Sequence, residues 1–173
     1  MTQYVAFPRG INAGHPMKMA ELRAVFESLG YEGVKTVLAS GNVLFSTKKT
    51  AEATLTRQIE KALSEAFGAR IPVVIRTRAE LERLARTDPF AKVPGGAKTR
   101  PYVTFLKKKP PRQELPKGKG YEVLAIVDRA VCSVVDLSGA SSPDLMRVLD
   151  KEFGAEVTTR SWNTVEKVLR ASG

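Results

Sequence analysis

Val34-Lys35-Thr36-Val37-Leu38-Ala39-Ser40-Gly41-Asn42-Val43-Leu44-Phe45-Ser46 is the stretch on which the fold turns. Two runs rich in β-branched and apolar residues, 34–38 and 43–46, read as strands. Between them Gly41 and Asn42 both tolerate positive φ, so a hairpin turn is expected there. Upstream, Met19, Leu22, Val25, Phe26 and Leu29 share one helical face, and Gly30 is placed to end that helix. Downstream, Leu55, Ile59, Ala62, Leu63, Ala66 and Phe67 define a second amphipathic helix that Gly68 closes. Further out, residues 3–8 and 71–75 read as strands, with Pro72 putting the latter at a sheet edge or a strand start. The order is β-α-β-β-α-β, a ferredoxin-like arrangement with helices on one face of a sheet.

The pattern then repeats with one fault. Thr77 and Glu80 form a capping box that opens a short helix through Leu81, Leu84 and Ala85. Residues 88–101 hold prolines and glycines with little apolar periodicity and form the expected junction. Beyond it, residues 102–106, 121–127 and 130–137 read as strands, the last two joined by a turn at Asp128-Arg129. Ser142 is expected to cap a helix whose first turn holds Pro143 and Asp144. Leu145, Met146, Leu149 and Phe153 give its apolar face, and Gly154 follows it. Residues 157–160 form the last expected strand, and Asn163 the expected cap of a final helix through Val165, Val168 and Leu169. Residues 107–120 leave no room for a first helix and are expected as a loop or single turn. The expected class is therefore α+β: two tandem ferredoxin-like subdomains, the second imperfect. The expected division is 1–87 for the N-terminal subdomain, 88–101 for a connecting loop and 102–173 for the C-terminal subdomain, packed together as one unit.

Charge and composition bound the function weakly. The chain carries 28 Lys+Arg against 18 Asp+Glu, a net charge of +10. Such an excess raises the local concentration of anions, nucleic acid included, and it also simply keeps a protein in solution. Much of it falls in loop-like stretches: Lys48-Lys49, Lys98 with Arg100, and Lys107-Lys108-Lys109 onward. No run of about 18 apolar residues exists, so no membrane span is expected. The N-terminus lacks the basic and apolar regions of a secretory signal, and the single cysteine, Cys132, sits in an apolar run. A cytoplasmic location is the simplest expectation.

Two segments together resemble a known family. Arg9-Gly10-Ile11-Asn12 continues to Met19-Ala20-Glu21-Leu22-Arg23 and to Ser40-Gly41-Asn42-Val43, and the chain closes on Thr159-Arg160-Ser161-Trp162-Asn163-Thr164. This combination is similar to the bacterial family called domain of unknown function 1697. The resemblance implies two similar α+β subdomains and no established activity. It also exposes a departure: the loop Ala13-Gly14-His15-Pro16-Met17 carries one glycine where the family usually pairs two.

The candidate ligand-binding residues are Arg9, Asn12, Lys18, Ser40, Asn42, Arg160 and Asn163. A helix N-terminus beside an arginine suits a phosphate or carboxylate. The commoner duty of these residue types is structural: asparagines shape turns and caps, and arginines pair with buried carbonyls. Trp162 either stacks on a ring or, more commonly, packs as a hydrophobic staple ahead of its helix. The lone His15 is a general-base candidate with no nucleophile or orienting partner legible in the sequence. No metal site is expected from one His and one Cys, and no cofactor. Gly95-Gly96-Ala97-Lys98-Thr99 lacks the Gly-Lys-Thr triplet of a phosphate loop. Two functions stay open. One is a binding protein for an anionic ligand, either nucleic acid or a phosphate-bearing molecule. The other is an enzyme holding a small anionic substrate between the subdomains. RNA on an open ferredoxin-like sheet would need aromatics on the central strands. Tyr4 and Phe7, however, point to opposite faces, the 43–46 strand offers only Phe45 and the RNP1-type pattern is absent, which leaves loop-based phosphate binding as the open mode.

Overall fold

The computed structural model of the protein describes residues 1–13, 16–93, 98–110, 115, 117–138 and 142–172. Two compact units divide the chain: Met1–Leu81 with Glu166–Gly173, and Glu82–Val165.

The first unit follows the hydrophobic pattern closely. Its elements are β1 (Thr2–Pro8), α1 (Met19–Ser28), β2 (Glu32–Val37), β3 (Asn42–Thr47), α2 (Glu52–Phe67) and β4 (Val73–Thr77). The strands form one antiparallel sheet in the order β2-β3-β1-β4, which places the first strand in the interior. β4 begins one residue after Pro72 and lies at an edge, where a missing N–H costs no ladder bond. Strand alternation sends Tyr4, Ala6, Val43, Phe45, Val73 and Ile75 toward Leu22 and Phe26 of α1 and Leu55, Ile59 and Leu63 of α2. Phe45 is the hub of that core: its ring lies 4.6 Å from Tyr31, 5.5 Å from Tyr4 and 5.5 Å from Phe26. Pairs of this geometry add about 0.5–1.5 kcal/mol each beyond simple burial. The opposite face is buried as well, since Val5, Phe7, Leu44 and Val74 are all at most 1% exposed.

The hairpin differs from expectation in one detail. Positive φ falls on Leu38 (63°) and Gly41 (82°), while Asn42 is already the first residue of β3, paired with Val37. Gly41 is needed there twice over, for its φ and because a Cβ would come within 3.0–3.1 Å of the Ile11 side chain.

α3 (Arg78–Arg86) starts on the expected capping box. The Thr77 N–H donates to Glu80 Oε1 at 3.0 Å, and the Glu80 N–H donates to Thr77 Oγ1 at 3.1 Å.

In the second unit, β5 (Thr99–Phe105), β7 (Tyr121–Val127), β8 (Ala130–Asp136) and β9 (Thr158–Ser161) take the order β7-β8-β5-β9. Counted within the unit, that is again second, third, first, fourth. α4 (Ser142–Phe153) brings Leu145 and Leu149 onto Tyr102, Val123, Val131 and Val135. No helix joins β5 to β7 among the described residues. Instead a two-residue strand, β6 (Lys117–Gly118), adds a fifth member beside Tyr121 and Glu122, an element the sequence pattern does not announce. Gly118 permits it, because a Cβ there would land on the Tyr121 ring. The side chains of the Ser142 cap, Pro143 and Asp144 lie outside the described residues, as do Gly14, His15 and Gly95-Gly96-Ala97.

The final helix, α5 (Trp162–Ser172), corrects two expectations. Ser161, not Asn163, is its cap: the Thr164 N–H donates to Ser161 Oγ at 3.2 Å. Trp162 is therefore the first helical residue rather than a staple preceding the cap, and its ring packs 5.2 Å from Phe90.

Thr77→Ala should lower stability by about 1 kcal/mol, and Glu80→Ala added to it should cost little more, because the two bonds are reciprocal. Urea denaturation midpoints read this directly. Fully additive losses would mean that the two residues do not act as a single box.

Candidate functional site

The two loops at one end of the first sheet are stitched together by a single side chain. Asn12 sits at φ 58°, a left-handed conformation that asparagine tolerates better than other side chains. Its Nδ2 donates to the Ala39 carbonyl at 2.8 Å, and its Oδ1 accepts from the Met17 N–H at 2.8 Å. The loop before α1 is thereby tied to the loop between β2 and β3. Asn42, fully buried, donates from Nδ2 to the Val37 carbonyl at 2.8 Å and to Ser40 Oγ at 3.0 Å. Of the expected ligand-binding set, then, Asn12, Ser40 and Asn42 do come together, and the two asparagine amides are engaged by the backbone they shape and by the Ser40 hydroxyl. Lys18 is the N-cap of α1 with an exposed side chain that makes no capping bond. Arg9 is half-buried, and its N–H extends the β1–β4 pairing by donating to the Pro72 carbonyl at 2.8 Å.

Arg160 and Asn163 belong to the second unit and stand either side of the Ser161 cap. Arg160 is a strand residue, 8% exposed, whose Nη1 donates to the Thr159 carbonyl at 3.0 Å. Burial pulls its pKa down to about 10, so it stays charged at neutral pH. Asn163 is exposed in the first turn of α5.

Arg160 has a counterpart that sequence reading missed. Arg76 of β4 is 4% exposed, and its Nη1 donates to the preceding carbonyl, that of Ile75, at 2.9 Å. Both arginines occupy the fourth strand of their unit, opposite Val5 of β1 and Val103 of β5, and both are followed by a Thr or Ser that caps a helix. The signal was available as Arg76-Thr77 and Arg160-Ser161, one residue before each cap.

A run of three cations stands at one end of the second unit's sheet. Lys107, Lys108 and Lys109 follow β5 and border a cleft of about 400 Å3 floored by Leu106, Phe153 and Val157. Glu152 and Glu156 line the same cleft, and Lys107 Nζ lies 3.9 Å from Glu156 Oε1. Arg129, in the β7–β8 turn, donates from Nη1 to the Lys107 carbonyl at 3.1 Å and so holds this segment in place. Lys108 and Lys109 are exposed and form no ion pair among the described residues. The lysine run is plain in the sequence; its apolar floor, contributed by α4 and the residue before β9, is not.

Other chemistry is limited. The sheet faces that would have to be open for base stacking are buried: Tyr4 and Phe45 lie in the helix-side core, and Phe7 is fully buried on the other face. Among the described residues no group of three His, Cys, Asp or Glu side chains is placed to hold a metal ion, and no helix is long and apolar enough to cross a membrane. Cys132 is fully buried, and burial pushes its thiol pKa up to about 12.

Sheet order, helix placement and repetition define an α+β protein of two ferredoxin-like units, the second without a helix between its first two long strands among the described residues. The chain belongs to the DUF1697 family, described as proteins of unknown function, whose model matches residues 1–131. The Thr159–Thr164 segment lies beyond that match. The fold is shared with conserved bacterial protein SP0830 from Streptococcus pneumoniae, at 20% identity and a TM-score of 0.71 over 98% of this chain and 97% of that one. No curated protein matches the chain.

Asn12→Ala should cost about 2 kcal/mol, from the lost hydrogen bonds and from alanine at positive φ, and Asn12→Gly clearly less because glycine keeps the backbone. Urea midpoints of the two variants test whether this side chain holds the loops. Cys132 should resist a disulfide reagent such as DTNB at pH 8 in the native protein and react at once in concentrated guanidinium. Its folded pKa of about 12 exceeds the ordinary value near 8.5, so the stability it contributes is intact below about pH 8.5 and falls as pH rises toward 12.

Proposed function

We propose that the protein binds an anionic ligand, and that it does so at the Lys107–Lys109 end of the second unit. The observation that carries this reading is the pair Lys108 and Lys109, exposed and without an ion pair among the described residues, beside an apolar-floored cleft of about 400 Å3. That volume falls within the range of about 300–1,000 Å3 typical of small-molecule sites. The net charge of +10 adds long-range attraction for any anion. The first unit is the weaker candidate, because Asn12 and Asn42 already spend their amides on the backbone.

Amide shift mapping by NMR with inorganic pyrophosphate tests the reading. Shifts should centre on residues 107–110 and 152–157 and shrink as salt rises, the mark of a charge-driven contact. The double variant Lys108→Gln/Lys109→Gln should bind about tenfold more weakly. Shifts centred on Arg9, Asn12 and Lys18 instead would move the function to the first unit and overturn the assignment.

A further inference from the structure

Resting on that anion-binding reading, we infer that the cleft takes a free monoanionic amphiphile: an apolar body over Leu106, Phe153 and Val157 with a single carboxylate-type head at Lys108 and Lys109. Charge balance argues for one negative charge rather than many. Among the described residues three lysines line the cleft against two glutamates, an excess of one positive charge. Lys107 is already opposed by Glu156 at 3.9 Å. An extended nucleic-acid backbone laid along the cleft would have to pass Glu152 and Glu156, and like charges brought together in a partly desolvated groove repel strongly. A single head group needs only the two lysines that make no ion pair among the described residues.

The floor supplies the second half of the recognition. Leu106 and Val157 are each 3% exposed, while Phe153 is half-buried. Phe153 presents apolar surface at the mouth of a core that Leu106, Val157, Leu145 and Leu149 continue inward. Burial of a ligand's alkyl or aryl portion against that surface is favourable in proportion to the area removed from water. Lysine stems also cover apolar surface while their ammonium groups stay in water, so Lys108 and Lys109 can close over the chain and still reach its head. Arg129, held on the Lys107 carbonyl, fixes the strand end from which all three lysines project.

The test uses decanoate, its neutral counterpart 1-decanol, and pyrophosphate, each followed by calorimetry and amide shifts on the full chain. Decanoate should bind about tenfold more tightly than decanol, with shifts at Leu106, Phe153 and Val157. Lys108→Gln/Lys109→Gln, both exposed and neutral to folding, should bring decanoate down to the level of decanol. Equal binding of decanoate and decanol would overturn the inference, because the head would then go unread. Pyrophosphate shifts at residues 107–109 with no response of the floor to decanoate would overturn the amphiphile while sparing anion binding. Silence toward all three would sink both. Sedimentation with phosphatidylglycerol vesicles without uptake of monomeric decanoate would also overturn it, since the ligand would then be a membrane surface.

Discussion

The rest of the structure depends on the position of β1. This strand pairs with β3 on one side and β4 on the other, and its residues Tyr4 to Phe7 are buried whichever face they point to. A strand held on both edges and both faces cannot shift register without turning its whole apolar set over. It therefore fixes where the chain leaves it, at Pro8-Arg9, and hence where the loop to α1 begins. It also leaves the first unit's sheet without an open face along β1. In the first unit it is loops, turns and strand ends, rather than a stacking platform, that meet solvent.

The two units solve that constraint differently. In the first, the loop after β1 is closed down by Asn12, whose amide bridges to Ala39 and Met17. Gly41 lets the facing loop pass close to Ile11. The polar side chains there are spent on holding two loops together. In the second unit the residues after β5 are lysines, and no helix among the described residues follows to cover them. A cleft lies beside them, bordered by Lys107, Lys108 and Lys109, the longest run of consecutive cations in the chain.

Repetition is the second organising feature. Each unit arranges its strands in the same order, and each ends its fourth strand on a buried arginine followed by a hydroxyl cap. An arginine in that place donates to the carbonyl of the residue before it, as the bonds to Ile75 and Thr159 illustrate, and Arg76 Nη1 also lies 4.0 Å from Glu52 Oε1. Buried charge that is hydrogen-bonded in this way specifies a local conformation more than it adds stability. The shared device is better evidence of a common plan for the halves than any stretch of matching sequence.

The amino-acid sequence by itself determined the helices, most of the strands and the capping box at Thr77-Glu80. These depend on periodicities of two and of 3.6 residues and on bonds made within a single turn. It also carried the family resemblance and the glycine turn at 41. It did not reveal the two-residue β6, which is too short for any period, nor the choice of Ser161 over Asn163 as cap, since both residue types serve equally well. Arg9, Asn12, Lys18, Ser40, Asn42, Arg160 and Asn163 were legible as polar residues in suggestive places, but not which of them have their polar groups already spent. Only tertiary structure decided that, because a hydrogen-bond partner 27 residues away, as Ala39 is from Asn12, leaves no mark in local pattern. The same holds for the apolar floor beneath Lys107–Lys109. Charge is written in the chain, but the surface it borders exists only once distant segments are packed together.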